Sequence, residues 1–369
     1  MKIDKEKDVY FMRKALDCAN NGLYSTHPNP RVGAVIVKNN KILGTGYHRH
    51  TGSDHAEYMA IKKSKNDCAN STLYVTLEPC CHYGKTPPCT NFIIENKIKR
   101  VVISSIDPNP LVSGKSVRLL RKHGIKVNIG VLKNESHEIN KGFFSRFQNN
   151  RPYISAKSGI SLDGKIALHN NQSKWITSNL SRENVQIERA LSSAILTTSN
   201  TILSDNPKLT VRDSSLLRKI KQQPTLVILD SQLRVDEKMN VFKDLERNII
   251  IFTAKNINQI KQSKYKNNVK VITVPSNKGF LDLNQVMEAL SNEEINELLV
   301  ESGSTLTGNL IKESLLDELI LYISPKILGH SSKTFSGINS IKKLSQKINF
   351  KINDIIEISH DLKLRLSRI

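Results

Sequence analysis

His55, Glu57, Cys80 and Cys89 provide the residue types of a catalytic zinc site together with one spare carboxylate. One imidazole and two thiolates can hold zinc and leave a fourth position open for water, whose pKa the ion lowers to about 7. Attack of that water on an amino-bearing ring carbon needs a neighbouring group that moves protons to a ring nitrogen and to the departing ammonia. Glu57 is the candidate for this role, and the set predicts the chemistry of the zinc deaminases.

The spacing of the two thiols departs from the general pattern of these enzymes. Their signature is H-x-E followed by P-C-x-x-C, which His55-Ala56-Glu57 and Pro79-Cys80 satisfy, whereas eight residues separate Cys80 from Cys89. Gly and Pro residues in the intervening segment allow it to loop out and return, so the two sulfur atoms can still converge on one ion.

Each member of this set also has an ordinary interpretation. A single Cys is commonly a small buried apolar residue, and a single His is more often a core or surface residue than a ligand. Taken together the four residues favour zinc, because we expect them at helix starts and at the end of a strand. We interpret Cys81 as a neighbour of the site and leave His82 open between a substrate contact and a solvated side chain. Cys18 and Cys68 are expected to be structural.

The elements that must position these residues alternate between helix and strand in the first half of the chain. Val9, Met12, Leu16 and Ala19 recur at helical spacing, and the apolar run 32–37 predicts a strand. The further predictions are a helix at 55–64, a strand at 73–77, a helix from about residue 90, a strand at 100–106, a helix at 117–123 and a strand near residue 127. This order predicts an α/β domain with its site at the strand ends.

A domain boundary is expected at 148–152, where polar residues and Pro152 precede a new strand at 153–157. Strands are then predicted at 194–198, 225–230, 248–253, 269–274, 297–301 and 318–324, which indicates a second α/β unit with a mostly parallel sheet. A Gly/Ser/Thr-rich turn at 301–309 follows one of these strands and precedes a helix. Such a turn can present backbone N–H groups to a phosphate, although it is more often a cap and connector.

Composition restricts the class of protein. A chain of 369 residues exceeds the usual single-domain size, so two domains are expected. Five cysteines, an odd number with three in the metal motif, indicate reduced thiols and a cytoplasmic location. The first eight residues lack an apolar segment, and no stretch reaches the roughly 18 apolar residues of a membrane helix. We therefore expect no membrane association.

The net charge of +21 raises the question of nucleic-acid binding. The lysines are scattered through expected loops such as 255–270, with few aromatic residues between them for base stacking. We therefore expect no nucleic-acid partner, and a positive field that favours phosphorylated small molecules. The oligomeric state stays open, a homo-oligomer included.

The motifs along nearly the whole chain resemble those of the bifunctional riboflavin-biosynthesis deaminase-reductases. In the first half they are THPNPRVG at 26–33, GTGYH at 44–48, HAE at 55–57, YVTLEPC at 74–80 and TPPC at 86–89, and the long loop between the thiols is a feature of that family. In the second half they are Lys157 with SLDGK at 161–165, SKWIT at 173–177, SDNPKLTVR at 204–212, Asp230-Ser231 and ESGSTLTG at 301–308. Cys81, Ser302 and Ser304 are small departures from the family pattern.

This resemblance implies a fold and two sites. The fold would be an N-terminal cytidine-deaminase-like α/β/α domain over 1–148, followed by a dihydrofolate-reductase-like α/β domain that uses NADPH over 149–369. Zinc would be bound by His55, Cys80 and Cys89, with Glu57 as proton donor. Substrate contacts in the second domain would come from Ser173, Arg189, Leu209, Arg212 and Glu301. NADPH contacts would come from Ile160, Trp175, Thr201, Asp205, Ser231, Gly303, Ser304, Thr305, Leu306, Thr307, Gly308 and Asn309.

The implied activity is a pair of consecutive reactions on a phosphorylated pyrimidine. The first is hydrolytic deamination of 2,5-diamino-6-(5-phosphoribosylamino)pyrimidin-4(3H)-one. The second is NADPH-dependent reduction of the ribosyl group of 5-amino-6-(5-phosphoribosylamino)uracil to ribityl, with Arg189 and Arg212 holding the ribose phosphate. Three of these residues also have an ordinary structural interpretation. Trp175 could be a core residue, Arg189 could be a solvated charge on a helix surface, and Asp205 could belong to a plain turn.

Two other functions compete with this interpretation. A nucleic-acid deaminase such as a tRNA editor would share the zinc motif and the basic charge, but the long cysteine loop and the reductase-like motifs argue against it. A zinc-stabilised binding protein with an inactive reductase half would not need Glu57, which is intact.

Overall fold

The computed structural model of the chain describes residues 5–65, 67–83, 87–256, 265–338 and 341–369. The chain divides into one unit over 1–149 and a second over 150–369. Each unit has helices and strands arranged around its own main sheet, which confirms the predicted α/β class. Residues 84–86 of the loop between the two thiols, and residues 257–264 of the 255–270 loop, lie outside the described residues.

The first unit contains one five-stranded sheet. Its strands are β1 (Gly33–Lys38), β2 (Lys41–Tyr47), β3 (Thr72–Leu77), β4 (Arg100–Ser105) and β5 (Lys126–Ile129). Its helices are α1 (Lys5–Ala19), α2 (Ala56–Lys63), α3 (Cys89–Glu95), α4 (Lys115–Lys122), α5 (Lys133–Ile139) and α6 (Lys141–Asn149). The order is β2-β1-β3-β4-β5, with β1 antiparallel to both neighbours and β3, β4 and β5 parallel. The elements predicted here are confirmed to within a few residues; β2, α5 and α6 have no predicted counterpart.

Helices cover both faces of this sheet. Alternate strand residues point to opposite faces, so β1 sends Ala34 and Ile36 into one apolar cluster and Val35 and Val37 into another. α1 packs on the second of these clusters. Its buried Asp8 accepts hydrogen bonds from Arg100 and from the Tyr74 hydroxyl, at 2.6 Å and 2.9 Å, which ties α1 to β4 and β3.

Two glycines of β2 allow α2 to lie very close to the sheet. A Cβ atom at Gly44 would lie 2.1 Å from Ala60 O, and one at Gly46 would lie 2.2 Å from Ala56 O. Any larger residue at these positions would clash with the backbone of the helix. Because α2 begins directly after His55, these glycines set the position of the candidate metal ligand.

The second unit has a nine-stranded sheet and two small two-stranded pairs. Its strands are β6 (Tyr153–Ser161), β7 (Lys165–Ala167), β8 (Ala194–Thr198), β9 (Thr225–Leu229), β10 (Ile249–Thr253), β11 (Val269–Thr273), β12 (Ser276–Asn277), β13 (Phe280–Leu281), β14 (Glu297–Val300), β15 (Glu318–Ser324), β16 (Lys333–Thr334), β17 (Phe350–Ile358) and β18 (Asp361–Arg368). Its helices are α7 (Asn179–Leu191), α8 (Ser199–Asp205), α9 (Ser214–Leu217), α10 (Leu283–Asn292) and α11 (Ser304–Lys312).

The large sheet runs in the order β11-β10-β9-β8-β14-β6-β15-β18-β17. Neighbouring strands from β11 to β15 are parallel, and β18 and β17 add an antiparallel hairpin at one edge. The predicted strands and the mostly parallel sheet are therefore confirmed, with β6 four residues longer than expected.

Three features of the second unit differ from the sequence prediction. The short strands β7, β12, β13 and β16 have no predicted counterpart. The turn expected over 301–309 is mostly helix, because α11 starts at Ser304 with Gly303 as its N-cap residue. The hairpin of β17 and β18 was missed. β17 is exposed along most of its length, and a bulge between Ile352 and Asp354 interrupts the alternation that would identify a strand.

No helix within the described part of the chain combines the length and the apolar character needed to cross a membrane.

We expect Gly46→Ala to destabilise the first unit, because the new methyl group would lie 2.2 Å from Ala56 O. Overpacking of this kind costs about 1–3 kcal/mol, measured as the free energy of unfolding in urea. Lys122→Ala is the control, since Lys122 is exposed in the last turn of α4 in the same unit and alanine suits a helix. An unchanged unfolding midpoint for Gly46→Ala would contradict the close approach of α2.

Candidate active sites

The first candidate site lies where three elements of the first unit meet. His55 is the N-cap residue of α2, Cys80 follows the end of β3, and Cys89 is the first residue of α3. The Cys89 N–H donates to Cys80 Sγ at 3.2 Å, and the Thr90 N–H donates to Cys80 O at 3.1 Å. The loop between the thiols therefore returns to the point that it leaves, as the sequence predicts.

The ligand atoms of His55, Cys80 and Cys89 all lie within 4.8 Å of one another. His55 Nδ1 is 3.5 Å from Cys80 Sγ and 3.3 Å from Cys89 Sγ. Zinc–nitrogen bonds of about 2.0 Å and zinc–sulfur bonds of about 2.3 Å in a tetrahedral site separate such atoms by roughly 3.5 Å. The donor set therefore fits zinc. Cys81 and His82 do not belong to this group of ligand atoms within the described residues.

The two thiols and the imidazole perturb one another. A hydrogen bond with Cys89 lowers the pKa of Cys80 to about 4 in spite of burial, and His55 adds to the lowering. The same hydrogen bond, together with burial, raises the pKa of Cys89. The pKa of Cys80 therefore lies below that of Cys89, and a bound cation would favour the thiolate form of both.

Glu57 has the position and burial expected of a proton carrier. It lies in the first turn of α2, two residues after His55, and its side chain is almost fully enclosed. Burial raises the pKa of its carboxyl above the ordinary value, against the influence of the nearby imidazole. A carboxylate with a raised pKa accepts a proton more readily near neutral pH, which is what a general base and acid must do.

Glu78 supports Cys80 and was not singled out by the sequence analysis. It is buried at the end of β3, and its carboxylate accepts backbone hydrogen bonds of 2.9–3.4 Å from Asp107, Gly114, Ser116 and Val117. The carboxylate thereby joins the end of β3 to the first turn of α4, where an anion is stabilised. A charged residue directly after an apolar strand was the available signal.

His48 and Asn29 form a second group beside the ligands that sequence reasoning left without a role. The ring of His48 lies edge-on to that of His55 with centroids 5.4 Å apart. Burial lowers the pKa of His48 to about 4, so its ring is neutral at physiological pH. His48 Nδ1 lies 3.3 Å from Asp54 O, and Nε2 lies 3.0 Å from Asn29 Nδ2. With Nδ1 as the donor, Nε2 accepts from Asn29.

The second candidate site is a cavity of about 1220 Å³ in the second unit. It lies at the carboxyl ends of β8, β9 and β14, which are neighbours in the parallel sheet. All five residues predicted to bind substrate line it, namely Ser173, Arg189, Leu209, Arg212 and Glu301. Nine of those predicted to bind NADPH also line it, namely Trp175, Thr201, Asp205, Ser231, Gly303, Ser304, Thr305, Leu306 and Asn309.

Three predicted NADPH residues do not line the cavity. Ile160 belongs to the apolar core of the second unit. Thr307 is buried, and Gly308 packs against Gly337, where a Cβ atom would lie 2.8 Å from a backbone carbon. The physical reason is that α11 turns successive residues to different sides, so only part of the 303–309 segment can face one ligand.

The lining residues decide three alternatives that the sequence left open. Trp175 is 64% exposed, and Arg182 Cζ lies 4.1 Å from the centroid of the Trp175 ring. The core position for Trp175 is therefore wrong. Arg189 is buried and ion-paired, so the solvated surface is wrong as well. Asp205 is the last residue of α8 and not part of an isolated turn.

Glu301 is buried between cationic side chains at one end of the cavity. Arg189 Nε lies 2.6 Å from its Oε1, and Lys157 Nζ lies 3.1 Å from its Oε2. Burial opposes ionisation, yet the charges of Arg189 and Lys157 lower the pKa of Glu301 below its ordinary value. Arg189 also donates to Thr210 O at 3.0 Å, so its fork is already engaged within the chain. Arg212 is the more exposed arginine of the predicted phosphate clamp.

Two family models match the chain. The model of the cytidine and deoxycytidylate deaminase zinc-binding region matches residues 5–105, and that of the RibD C-terminal domain matches residues 152–364. The riboflavin biosynthesis protein RibD of Buchnera aphidicola subsp. Baizongia pistaciae is 42% identical, and the matched region covers 98% of this chain and 99% of that protein. The RibD of Escherichia coli K12 is 40% identical with the same coverage.

Solved structures agree over the full length. Form 1 of Acinetobacter baumannii RibD superposes with a TM-score of 0.92 at 34% identity, covering 99% of this chain and 100% of that one. A Thermotoga maritima diaminohydroxyphosphoribosylaminopyrimidine deaminase/5-amino-6-(5-phosphoribosylamino)uracil reductase superposes with a TM-score of 0.86 at 35% identity, covering 100% of both chains. The chain therefore belongs to the RibD family of riboflavin biosynthesis enzymes, which join a zinc-binding deaminase domain to an NADPH-using reductase domain.

Proposed function

We propose that the first unit hydrolyses the 2-amino group of 2,5-diamino-6-(5-phosphoribosylamino)pyrimidin-4(3H)-one, and that the second unit then reduces the ribosyl group of 5-amino-6-(5-phosphoribosylamino)uracil to ribityl with NADPH. The observation that carries the first step is the convergence of His55, Cys80 and Cys89 beside the buried Glu57. The observation that carries the second is the cavity in which all five proposed substrate residues meet.

In the proposed deamination, His55, Cys80 and Cys89 hold zinc. The ion supplies a Lewis acid that lowers the pKa of water. Glu57 would carry one proton from that water to a ring nitrogen. It would then carry the second proton of the same water, from the hydroxyl group on the attacked carbon, to the departing amino group, which leaves as ammonia. Burial raises the pKa of Glu57 in the direction that suits this role. The neutral His48 lies beside His55 and holds the amide of Asn29, whose carbonyl oxygen and second N–H are the groups that we place for orienting the pyrimidine.

In the proposed reduction, NADPH supplies the hydride and the protein positions the reactants. Glu301, held ionised by Arg189 and Lys157, accepts hydrogen bonds from ribose hydroxyls. Lys157 lines the cavity beside Glu301 and is the group that we place for proton transfer to the sugar oxygen. Arg212 binds the substrate phosphate, since its guanidinium is the exposed one of the pair.

The proposed partners are small molecules, without nucleic acid or membrane, and the proposed location is the cytoplasm. Among the described residues, seven Lys and Arg side chains and three Asp and Glu side chains line the second cavity, which suits a phosphorylated substrate and a phosphorylated cofactor. None of the five cysteines forms a disulfide, in keeping with a reducing compartment.

We expect Glu57→Gln to retain zinc and to lose ammonia release by at least about 100-fold, because the amide cannot carry the proton. Zinc content and ammonia formation are measured on the full chain, and NADPH oxidation is measured with pre-deaminated substrate. Glu95→Gln, in the last turn of α3 and exposed, is the matched control. Undiminished ammonia release in Glu57→Gln would remove Glu57 from the mechanism.

Removal of zinc with a chelator should abolish ammonia release and leave NADPH oxidation on pre-deaminated substrate intact. The reason is that the proposed metal ligands lie in the first unit, whereas all the described residues that line the second cavity belong to the second unit. Addition of zinc should restore ammonia release. Parallel loss of both activities on chelation would contradict two independent sites.

Arg212→Ala should raise KM for the phosphorylated substrate by about 10- to 100-fold, the effect of losing a hydrogen bond between opposite charges. The kcat of deamination should not change. Arg218→Ala is the control, because Arg218 is also exposed but does not line the cavity. A KM equal to that of the unaltered protein would exclude Arg212 from the phosphate site.

A further inference from the structure

Arg234 lies at the end of the second cavity where β8 and β9 finish. These strands are parallel neighbours whose last residues pair with each other. The segments that follow them, 199–201 and 231–234, therefore leave the sheet side by side. Arg234 Nη2 donates to Ser199 Oγ at 3.0 Å and to Asn200 Oδ1 at 2.6 Å, which joins the two segments.

The hydrogen-bond partners of Arg234 are polar and neutral. Its hydrogen-bond partners are a hydroxyl and an amide oxygen, and no carboxylate pairs with it among the residues that the structure describes. Thr201 and Ser231 add two hydroxyl groups to the same part of the lining. By contrast, Lys157 and Arg189 are both paired with Glu301, which offsets one of their two positive charges. Arg234 thus has a charge available for an anion from outside the chain.

A guanidinium with hydroxyl groups around it recognises a phosphate monoester through charge-assisted hydrogen bonds to the phosphate oxygens. Nη2 of Arg234 is engaged with Ser199 and Asn200, so its Nη1 and Nε hydrogens are the donors for such a ligand. The proposed ligands carry phosphate at three places: the substrate phosphate, the cofactor pyrophosphate and the 2′-phosphate of NADPH. Arg212 accounts for the first and the start of α11 for the second. β14, β8 and β9 lie side by side in the sheet in that order. The start of α11, which follows β14, is therefore two strand spacings from the 231–234 segment that follows β9, a distance on the order of 10 Å. An adenosine ribose with its phosphates can span that distance.

We propose that Arg234, with Ser231 beside it, binds the 2′-phosphate of NADPH and thereby selects NADPH over NADH. This inference rests on the proposed reductase function, because it assigns one end of the cavity to the cofactor. It adds a residue that determines cofactor specificity and that neither the motifs nor the predicted binding set contains.

The test compares two probes that differ only in this phosphate, adenosine 2′,5′-bisphosphate and adenosine 5′-monophosphate, by calorimetry on the full chain. Arg234→Gln should raise the Kd of the bisphosphate by roughly 10- to 100-fold and leave the Kd of the monophosphate unchanged. Arg234→Lys should restore part of the loss. Arg218→Gln is the control, since this exposed arginine does not line the cavity.

Turnover supplies a second readout. In Arg234→Gln, kcat/KM should fall for NADPH and stay the same for NADH, whereas a purely structural defect would lower both. An unaltered preference for the bisphosphate in Arg234→Gln, or equal weakening of both probes, would overturn the role of Arg234. If the unaltered chain oxidised neither cofactor with pre-deaminated substrate, the proposed reductase function would fail, and the ratio of the two probe affinities would still decide the Arg234 site.

Discussion

Both sites depend on the fact that parallel strands end at the same edge of a sheet. At that edge the backbone leaves the hydrogen-bonded ladder, and side chains from strands far apart in sequence come together. In the first unit, Cys80 and Glu78 follow β3, and the Asp107 N–H that Glu78 accepts follows β4. In the second, Glu301 follows β14, and the 199–201 and 231–234 segments follow β8 and β9. The topology of each sheet thereby brings the candidate functional residues together, and individual side-chain contacts only refine their positions.

The two units treat a buried carboxylate in opposite ways. Burial alone disfavours the charged form, and in Glu57 it dominates, so the pKa rises and the group suits proton transfer. In Glu301 the adjacent charges of Arg189 and Lys157 outweigh burial, so the pKa falls and the group stays an acceptor. The same residue type is therefore suited to carry a proton in one site and to remain an anion in the other, and the neighbouring charges decide which.

Several residues that hold the sites in place carry no recognisable motif role. Gly44 and Gly46 permit the close approach of α2, and Glu78 ties the segment before Cys80 to α4. The zinc ligands could be predicted because few chemistries need one His and two Cys with a nearby Glu. The supporting residues could not, because their effect depends on which helix lies against which strand.

The sequence by itself determined the metal-binding residue types, the alternation of helices and strands, and the break near residue 150, because these follow from local composition and spacing. It also carried the motifs of the second site. The tertiary structure decided which of those residues face the cavity, with Ile160, Thr307 and Gly308 turned away, and how charges pair there. It also brought Arg234 beside Asn200, because contacts between residues 34 positions apart depend on strand order, which sequence periodicity does not encode.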